Sequence, residues 1–151
     1  MIKIITVGSI KEKYLKDAIE EYTKRLSKYT NIEIVEVKDE GLVEPQKAII
    51  LEEEKILKHI NEKDYLVTLE IEGKEFTSEE FAEKIDKIQL EASNITFIIG
   101  GSYGLSQNIK DKSRLHLSFS KMTFPHQLFR VLLLEQIYRA FKINNNESYH
   151  K

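Results

Sequence analysis

The chain of 151 residues is 41% hydrophobic and 32% charged, a composition that predicts one globular domain spanning residues 1–151. Its formal net charge of −2, taken over the whole chain, does not favour a nucleic-acid partner. Because there is no cysteine, disulfide frameworks, thiol catalysis and cysteine-ligated zinc are excluded, and a cytoplasmic location fits the chain.

Short runs rich in isoleucine and valine alternate with longer segments of helical periodicity. Pro45 and Pro125 suit first helical turns, Thr77 with Glu80 forms a capping box, and Ser106 suits the start of a short helix. The predicted order is strand 2–8, helix 12–29, strand 31–37, helix 45–62, strand 64–71, helix 78–91, strand 94–100, strand 114–120 and helix 125–142. This alternation predicts an α/β fold, a three-layer sandwich with a mostly parallel sheet.

Charge is distributed unevenly along the chain. Residues 1–104 hold 15 Lys+Arg and 22 Asp+Glu, whereas residues 105–151 hold 8 and 3. The two parts therefore carry net charges of −7 and +5. This asymmetry permits a basic working surface on an acidic body, and it equally permits charges scattered over a solvated surface.

Membrane association is not expected from the sequence. Charged residues begin within the first few positions, so we expect no signal peptide at this N-terminus. No apolar run approaches the roughly 18–20 residues that cross a bilayer.

The last predicted helix carries apolar side chains around its whole circumference rather than along one stripe. We expect it to be buried on most sides, and a partner subunit is favoured over an internal position as its cover. Its apolar residues are Leu128, Phe129, Val131, Leu132, Leu133, Leu134, Ile137, Tyr138 and Phe141.

The segment FIIGGSYG, residues 97–104, permits two interpretations. It matches G-x-S-x-G, in which Ser102 would be the nucleophile of a small serine hydrolase. It also matches a glycine turn after a buried strand, where the backbone approaches a ligand closely. The chain is short for a hydrolase, and Ser106 rather than Ser102 is placed to begin the next helix. Candidate partners for Ser102 are Asp111, His116, His126 and His150.

Phosphate and metal motifs are absent from the sequence. There is no G-x-x-x-x-G-K-[ST], and no G-x-G-x-x-G follows the first strand. The four histidines, at positions 59, 116, 126 and 150, show no two-ligand spacing such as H-E-x-x-H. We therefore predict no metal site.

The glycine turn is expected to lie where three strands of the sheet end together. Gly100 and Gly101 follow the fourth strand, Leu69 ends the third, and the segment FSKMTF follows the fifth. Such strand ends form the crevice in which open α/β sheets bind ligands. An apolar lining would suit an adenine ring and a thioether-like chain, although Leu69, Phe119 and Met122 are equally suited to the core.

Three segments together resemble the RlmH family of SPOUT-class methyltransferases. They are FIIGGSYGLS, LSFSKMTFPHQLFRVLLLEQIYRAFKI and the terminal SYHK, and the resemblance extends over essentially the whole chain. The patterns T-x-P-H-x-L-x-R and E-Q-x-Y-R-A stand at fixed spacing before a terminal Tyr-His.

The resemblance implies a C-terminal deep trefoil knot, an obligate homodimer and S-adenosylmethionine as methyl donor. It implies methylation of N3 of a pseudouridine in large-subunit (23S) ribosomal RNA, within the assembled ribosome. Cofactor contacts would fall on Leu69, Gly100, Gly101, Phe119, Ser120, Lys121, Met122, Thr123 and Phe124. Substrate contacts would fall on His126, Arg130, Arg139, Tyr149 and His150, and catalytic roles on Glu135, Arg139, Tyr149 and His150.

Several roles remain open at this point. The general base is His150 or His126, since both imidazoles have a suitable unperturbed pKa. Glu135 and Arg139 stand four residues apart and equally suit a structural salt bridge. The polar tail that carries Tyr149 is either a substrate-contacting segment or a frayed terminus. Phe119, Phe124 and Ser148 depart from the family's usual residues, which affects the pocket wall and the stiffness of the tail.

Overall fold

The computed structural model describes residues 1–151 and confirms the predicted α/β class, with five strands and five helices. The strands are β1 (Ile2–Val7), β2 (Ile32–Val37), β3 (Tyr65–Glu75), β4 (Ile95–Ile99) and β5 (Leu115–Ser118). The helices are α1 (Lys13–Leu26), α2 (Pro45–Leu57), α3 (Ser78–Glu91), α4 (Gln107–Lys112) and α5 (His126–Asn144). The capping box of α3 and the cap of α4 by Ser106 both form as predicted.

Three predicted element ends were wrong. Helix α1 stops at Leu26, because the following turn folds back to its carbonyl group. Helix α2 stops at Leu57, after which the Asp64 carboxylate accepts the amide of Asn61 and closes a turn. Strand β3 continues past Gly73 to residue 75, because its last residues pair with β5.

The sheet is parallel throughout, in the order β2-β1-β4-β3-β5. Strand β4 lies between β1 and β3, and all of its residues are buried, as predicted for a strand covered on both faces. Strands β3 and β5 flank each other at one edge of the sheet. The ends of β4, β3 and β5 therefore stand side by side, as the predicted crevice requires.

Helices cover both faces of the sheet. Ile2 and Ile4 of β1 point into a core shared with α1, α3 and α5. Ile5 and Val7 point the opposite way, into a smaller core shared with α2 and α4. This alternation follows from the two-residue repeat of a strand and separates the helices into two outer layers.

Helix α5 is covered mainly by its own chain, because it packs between α1 and α3. Leu133, Leu134 and Ile137 are fully buried there. Leu128 remains exposed and Leu132 only partly buried, so one narrow apolar face of the helix is left open. Burial by a partner subunit thus concerns this face alone and remains a prediction. No helix is both long enough and apolar enough to span a membrane.

Candidate active site

A cavity of about 450 Å³ opens at the ends of β4, β3 and β5. We call it the crevice. It is lined by backbone and side chains of the three loops predicted from the strand order, which lie next to one another because β3 runs between β4 and β5. Eight of the nine residues predicted to contact the cofactor line it: Leu69, Gly100, Gly101, Phe119, Ser120, Met122, Thr123 and Phe124. Lys121 does not line the crevice, whereas His126, predicted as a substrate contact, does.

The glycine turn forms one wall of the crevice. The amide of Gly104 donates to the Gly101 carbonyl at 3.0 Å, and Gly104 has φ of +80°, a left-handed conformation that favours glycine. A β-carbon at position 100 would lie 2.8 Å from the carbonyl carbon of Gly104. A β-carbon at position 101 would lie 2.9 Å from the Val7 side chain. The turn is therefore this tight only because both positions are glycine.

The opposite wall is the segment 119–124, which Ser118 holds in place. The Ser118 hydroxyl lies 2.9 Å from the Ile71 carbonyl oxygen and 3.1 Å from that of Ser120. The Ser120 hydroxyl in turn accepts the amide of Met122 at 3.0 Å. Phe119 packs on Phe129 of α5, with ring centroids 4.9 Å apart. These contacts tie the segment to β3 and α5.

A bulge in β3 supplies polar groups that sequence reasoning missed. The pairing with β5 jumps from Leu69 to Lys74, so residues 70–73 are displaced from the ladder. Glu70 and Glu72 of this bulge line the crevice, as does Lys110 of α4. Glu70 is held by the Thr68 hydroxyl at 2.6 Å and by His116. The only sequence signal for the bulge is Gly73, where a β-carbon would lie 2.7 Å from the His116 carbonyl oxygen.

Four predicted catalytic residues form a second group, which we call the C-terminal cluster: Glu135, Arg139, Tyr149 and His150. Arg139 Nε donates to Glu135 Oε1 at 3.0 Å, and the Tyr149 hydroxyl donates to Glu135 Oε2 at 3.2 Å. The Arg139 guanidinium lies over the Tyr149 ring, 4.7 Å from its centroid, and contacts His150 Nδ1 at 3.0 Å. The i,i+4 salt bridge between Glu135 and Arg139 is therefore part of the predicted site and is not an alternative to it.

Tyr149 stays protonated in this cluster. Burial, together with the negative charge of Glu135, raises the pKa of the Tyr149 hydroxyl to about 12. Its ring packs edge-on against Tyr138, with centroids 5.0 Å apart. The phenol is thus a hydrogen-bond donor and a flat surface rather than a base.

The tail is anchored rather than frayed. Glu147 accepts the Tyr29 hydroxyl at 2.7 Å and lies 3.2 Å from both Lys28 and Lys142. These partners lower the pKa of the Glu147 carboxyl to about 2, with the Tyr29 hydrogen bond as the largest cause. Asn146 takes a left-handed conformation, φ 55°, which ends α5 and turns the chain back.

The crevice and the C-terminal cluster have no residue in common within one chain. A smaller cavity of about 200 Å³ adjoins the crevice, sharing Leu117, Ser118 and Phe119 with it. This second cavity is also lined by Ser78 and Gln136, the sequence neighbours of Glu79 and Glu135. None of the cluster residues lines either cavity.

Arg130, predicted to contact substrate, is buried in the interior with 2% of its side chain exposed. Its guanidinium pairs with Glu36 of β2 and donates to the Gly8 carbonyl oxygen at 2.8 Å. Glu36 also accepts the amide of Ile10 at 3.0 Å. The arginine thus joins α5 to β2 and to the turn after β1. These contacts favour a structural role over the predicted substrate contact.

The hydrolase interpretation lacks its triad. Ser102 is exposed and makes no hydrogen bond to a histidine or an acidic side chain. The nearest acid in the predicted order, Asp111, accepts from Gln107 on its own helix, and His150 contacts Glu79. A nucleophilic serine needs a base within hydrogen-bond reach, and Ser102 has none.

Comparison with known proteins gives a consistent picture. A family model described as "Predicted SPOUT methyltransferase" matches residues 1–150. A protein of Clostridium botulinum named ribosomal RNA large subunit methyltransferase H is 54% identical, and the match covers 99% of both chains. A protein of Methanococcus maripaludis that carries the same name provisionally is 57% identical, again over 99% of both chains.

The fold is also found in a solved structure, that of a probable methylase family protein from Haemophilus influenzae Rd KW20. Its TM-score to this chain is 0.56, with 15% identity, and the match covers 99% of this chain and 70% of the other. This likeness concerns the fold alone.

Proposed function

The chain belongs to the SPOUT methyltransferases, within the ribosomal RNA large subunit methyltransferase H group, and we propose that it methylates large-subunit ribosomal RNA. The proposed donor is S-adenosylmethionine, and the proposed acceptor is N3 of a pseudouridine in 23S RNA. The observation that carries the proposal is identity of 57% over 99% of the chain, which involves the whole chain rather than one motif. We propose that residues 1–151 act as one cytoplasmic domain.

The crevice suits S-adenosylmethionine in size and lining. About 450 Å³ is within the range of small-molecule sites, and the apolar walls at Leu69 and Phe119 suit an adenine ring and a thioether chain. Lys110 is the only basic side chain of the lysine or arginine type in the lining, which disfavours a triphosphate. Gly100 and Gly101 line the crevice, and the absence of β-carbons there keeps the turn compact at its wall. When bound, the donor supplies an electrophilic methyl group on a sulfonium.

The C-terminal cluster suits the nucleotide. We propose that Tyr149 stacks on a base, because its ring is flat and partly exposed. Arg139 would stabilise negative charge on a uracil carbonyl oxygen, and Glu135 orients both Arg139 and Tyr149 through its two oxygens. His150 is the proposed general base, with His126 at the crevice as the alternative.

We propose that the chain assembles as a homodimer, and the separation of the two regions supports this. Within one chain the crevice and the C-terminal cluster do not meet, so we propose that the cluster of one subunit works with the crevice of its partner. The partly open face of α5, at Leu128 and Leu132, is the proposed contact. We also propose that the chain forms the family's trefoil knot around the segment 119–124.

Calorimetry and a methylation assay test the proposal together. S-adenosylmethionine should bind the purified protein, and a radiolabelled methyl group should be transferred to 23S RNA in ribosomes lacking the modification. Mapping the methyl group to N3 of a pseudouridine would establish the acceptor. A hydrolase using Ser102 would show no heat of binding, and that outcome would overturn the proposal. Comparison of free RNA, large subunits and whole ribosomes would identify the true substrate.

A further inference from the structure

Glu79 is an acidic residue outside the predicted site that contacts the C-terminal cluster directly. It lies in the first turn of α3, and its Oε1 is 2.6 Å from His150 Nε2. The contact spans 71 positions of sequence. It is therefore a tertiary contact that fixes the tail against α3, on the opposite side of the imidazole from Arg139.

The two neighbours of His150 determine which ring nitrogen carries the proton. Arg139 Nη1 lies 3.0 Å from Nδ1, and a guanidinium only donates hydrogen bonds. Nδ1 must therefore present its lone pair. Glu79 is a carboxylate and only accepts, so Nε2 must carry the hydrogen that it donates. Both contacts select the same neutral form of the ring, protonated on Nε2.

Glu79 is itself held as a carboxylate. The pKa of the Glu79 carboxyl is lowered, first by a hydrogen bond from its own backbone amide and then by the hydrogen bond from His150. The first turn of a helix favours negative charge because its backbone N–H groups have no partner within the helix. The acceptor opposite Nε2 is thus held mainly by the first turn of α3, with a smaller contribution from His150 itself.

We infer that Glu79 is a positioning residue, which orients His150 so that Nδ1 is the nitrogen that takes the proton from the uracil. This inference rests on the proposed function for its chemical step. A carboxylate that fixes the tautomer of a histidine and stabilises the imidazolium is a recurrent arrangement in general-base catalysis.

The N3–H bond of the uracil breaks and the proton passes to Nδ1, in the place that the Arg139 guanidinium leaves. The electron pair of N3 forms the bond to the methyl carbon, and the methyl–sulfur bond breaks with its pair remaining on sulfur. His150 becomes an imidazolium whose Nε2–H still donates to Glu79, and the carboxylate offsets the new charge. Arg139 moves to a uracil carbonyl oxygen.

Removal of the Glu79 carboxylate should leave the fold intact. Its side chain is 63% exposed, and exposed ion pairs contribute little to stability. Glu83 offers a matched control, since it stands one turn later on α3, is similarly exposed at 68%, and pairs with Lys87 instead. An effect on the His150 signals that Glu79→Ala shows and Glu83→Ala does not is therefore specific to Glu79.

Nitrogen NMR of histidine-labelled protein tests the tautomer without any assay of activity. The signals of His150 are assigned by their loss in His150→Gln, since the chain has only four histidines. In the unsubstituted protein, neutral His150 should show a single Nε2–H form, and Glu83→Ala should show the same form. Glu79→Ala should give partly averaged signals, because the contact with Arg139 alone then holds the ring. A ring already averaged in the unsubstituted protein, or protonated on Nδ1, would overturn the inference.

Kinetics then test the consequence. Glu79→Ala should lower kcat by about 10- to 100-fold, with KM for the RNA and the affinity for S-adenosylmethionine within about twofold. Glu79→Gln keeps an acceptor but loses the charge, so it should keep the tautomer. Its kcat should lie between that of the unsubstituted protein and that of Glu79→Ala. If His150→Ala methylates normally, the proposed base is wrong while the tautomer result stands. If His150→Ala is inactive and Glu79→Ala is normal, Glu79 has no positioning role.

Discussion

The crevice and the C-terminal cluster hold the residues of the proposed reaction, and they are built by different means. The crevice is shaped by backbone: the tight glycine turn, the bulge in β3, and a segment held by Ser118. The cluster is made of side chains on α5 and the tail, joined by hydrogen bonds and one ion pair. A backbone-built site keeps its shape when side chains move, whereas side-chain contacts exchange partners readily.

This difference separates binding from chemistry. A rigid crevice is suited to holding one small molecule, because the site loses little conformational entropy on binding. The cluster must receive a nucleotide, release Arg139 from His150 and accept a proton, which requires contacts that can be remade. Variants in the crevice should therefore change cofactor affinity, and variants in the cluster should change turnover.

The strongest test of the crevice is Gly100→Val. A β-carbon there would lie 2.8 Å from the Gly104 carbonyl carbon and 3.1 Å from the Leu105 side chain, so the turn must open. We expect affinity for S-adenosylmethionine to fall more than about 100-fold, a loss above about 2.7 kcal/mol, measured by calorimetry. Circular dichroism should show a retained fold with a lowered Tm.

The control for this variant lies two residues away in the same turn. Ser102 is exposed and makes no side-chain hydrogen bond, so Ser102→Ala should bind the cofactor and methylate RNA normally. Loss of all activity in Ser102→Ala would restore the nucleophile hypothesis. Normal cofactor affinity in Gly100→Val would show that the ligand binds elsewhere.

Deletion of residues 148–151 is the matching test of the C-terminal cluster. It removes Tyr149 and His150 but leaves the crevice untouched, since neither residue lines it. S-adenosylmethionine should bind within about threefold of the full chain. Methylation of ribosomal RNA should fall by about 100-fold or more, because positioning and proton transfer are both lost. Methylation at the normal rate would mean that the tail has no part in the reaction.

Mixed dimers test whether the two regions act across the interface. One subunit lacks residues 148–151, and the other carries Gly100→Val. If the tail serves the partner's crevice, one complete site remains in each mixed dimer and activity returns to about half. If the tail serves its own crevice, the mixture is as inactive as its parents.

Two arginines on α5 provide the next test, because they differ in burial. Arg130 is 2% exposed and pairs with Glu36 and the Gly8 carbonyl, whereas Arg139 is 24% exposed. Arg130→Met should lower the free energy of unfolding by about 2 kcal/mol, the scale of lost charged hydrogen bonds. Arg139→Met removes a partly buried pair, so it should lower the free energy of unfolding by no more than about 1 kcal/mol and should reduce methylation as well. Urea unfolding curves and methylation rates of both variants test whether Arg130 is structural and Arg139 functional. Equal stability of the two variants would contradict this assignment.

The crevice was predictable from sequence because its position depends on strand order. The buried strand before Gly100 and Gly101 and the strand that ends at residue 118 lie on either side of the strand that carries Leu69, and this fixes which loops meet. The bulge at residues 70–73 was not predictable, because the pattern of apolar residues stops at Ile71 while the pairing resumes at Lys74. Glu70 and Glu72 were therefore not predicted to line the crevice.

The C-terminal cluster was identified by resemblance, and its geometry was not predictable. Only the i,i+4 spacing of Glu135 and Arg139 indicates a contact from the sequence itself. The contact between Glu79 and His150 joins positions 71 residues apart, and no periodicity predicts such a pair. Arg130 was identified from its motif, but its burial was not predictable, because it depends on contacts of α5 with β2 and with the turn after β1.

The smallest expected effect concerns the anchor of the tail at Glu147. With the tail docked, the pKa of this carboxyl is about 2, below its ordinary value of 4.5, because Tyr29, Lys142 and Lys28 stabilise the charged form. A lowered pKa means that the stabilisation is fully present above pH 4.5 and is lost as the pH falls towards about 2. At neutral pH, Glu147→Gln mimics the acid state without unfolding the rest of the chain.

We expect Glu147→Gln to bind S-adenosylmethionine normally and to methylate RNA more slowly by no more than about fivefold, because the hydrogen bond from Tyr29 is kept and the ion pair lost with Lys28 is exposed on the lysine side. Amide NMR signals of residues 147–151 should move towards disordered values in this variant at pH 7, and in the unsubstituted protein only below pH 4.5. High salt should reproduce part of the effect by screening Lys28 and Lys142. The Gln substitution retains the acceptor for Tyr29, so it removes the charge alone.

A loss as large as that of the tail deletion would mean that the anchor, and not Tyr149 or His150, carries the function of the tail. Unchanged amide signals would mean that the hydrogen bond from Tyr29 suffices to dock it.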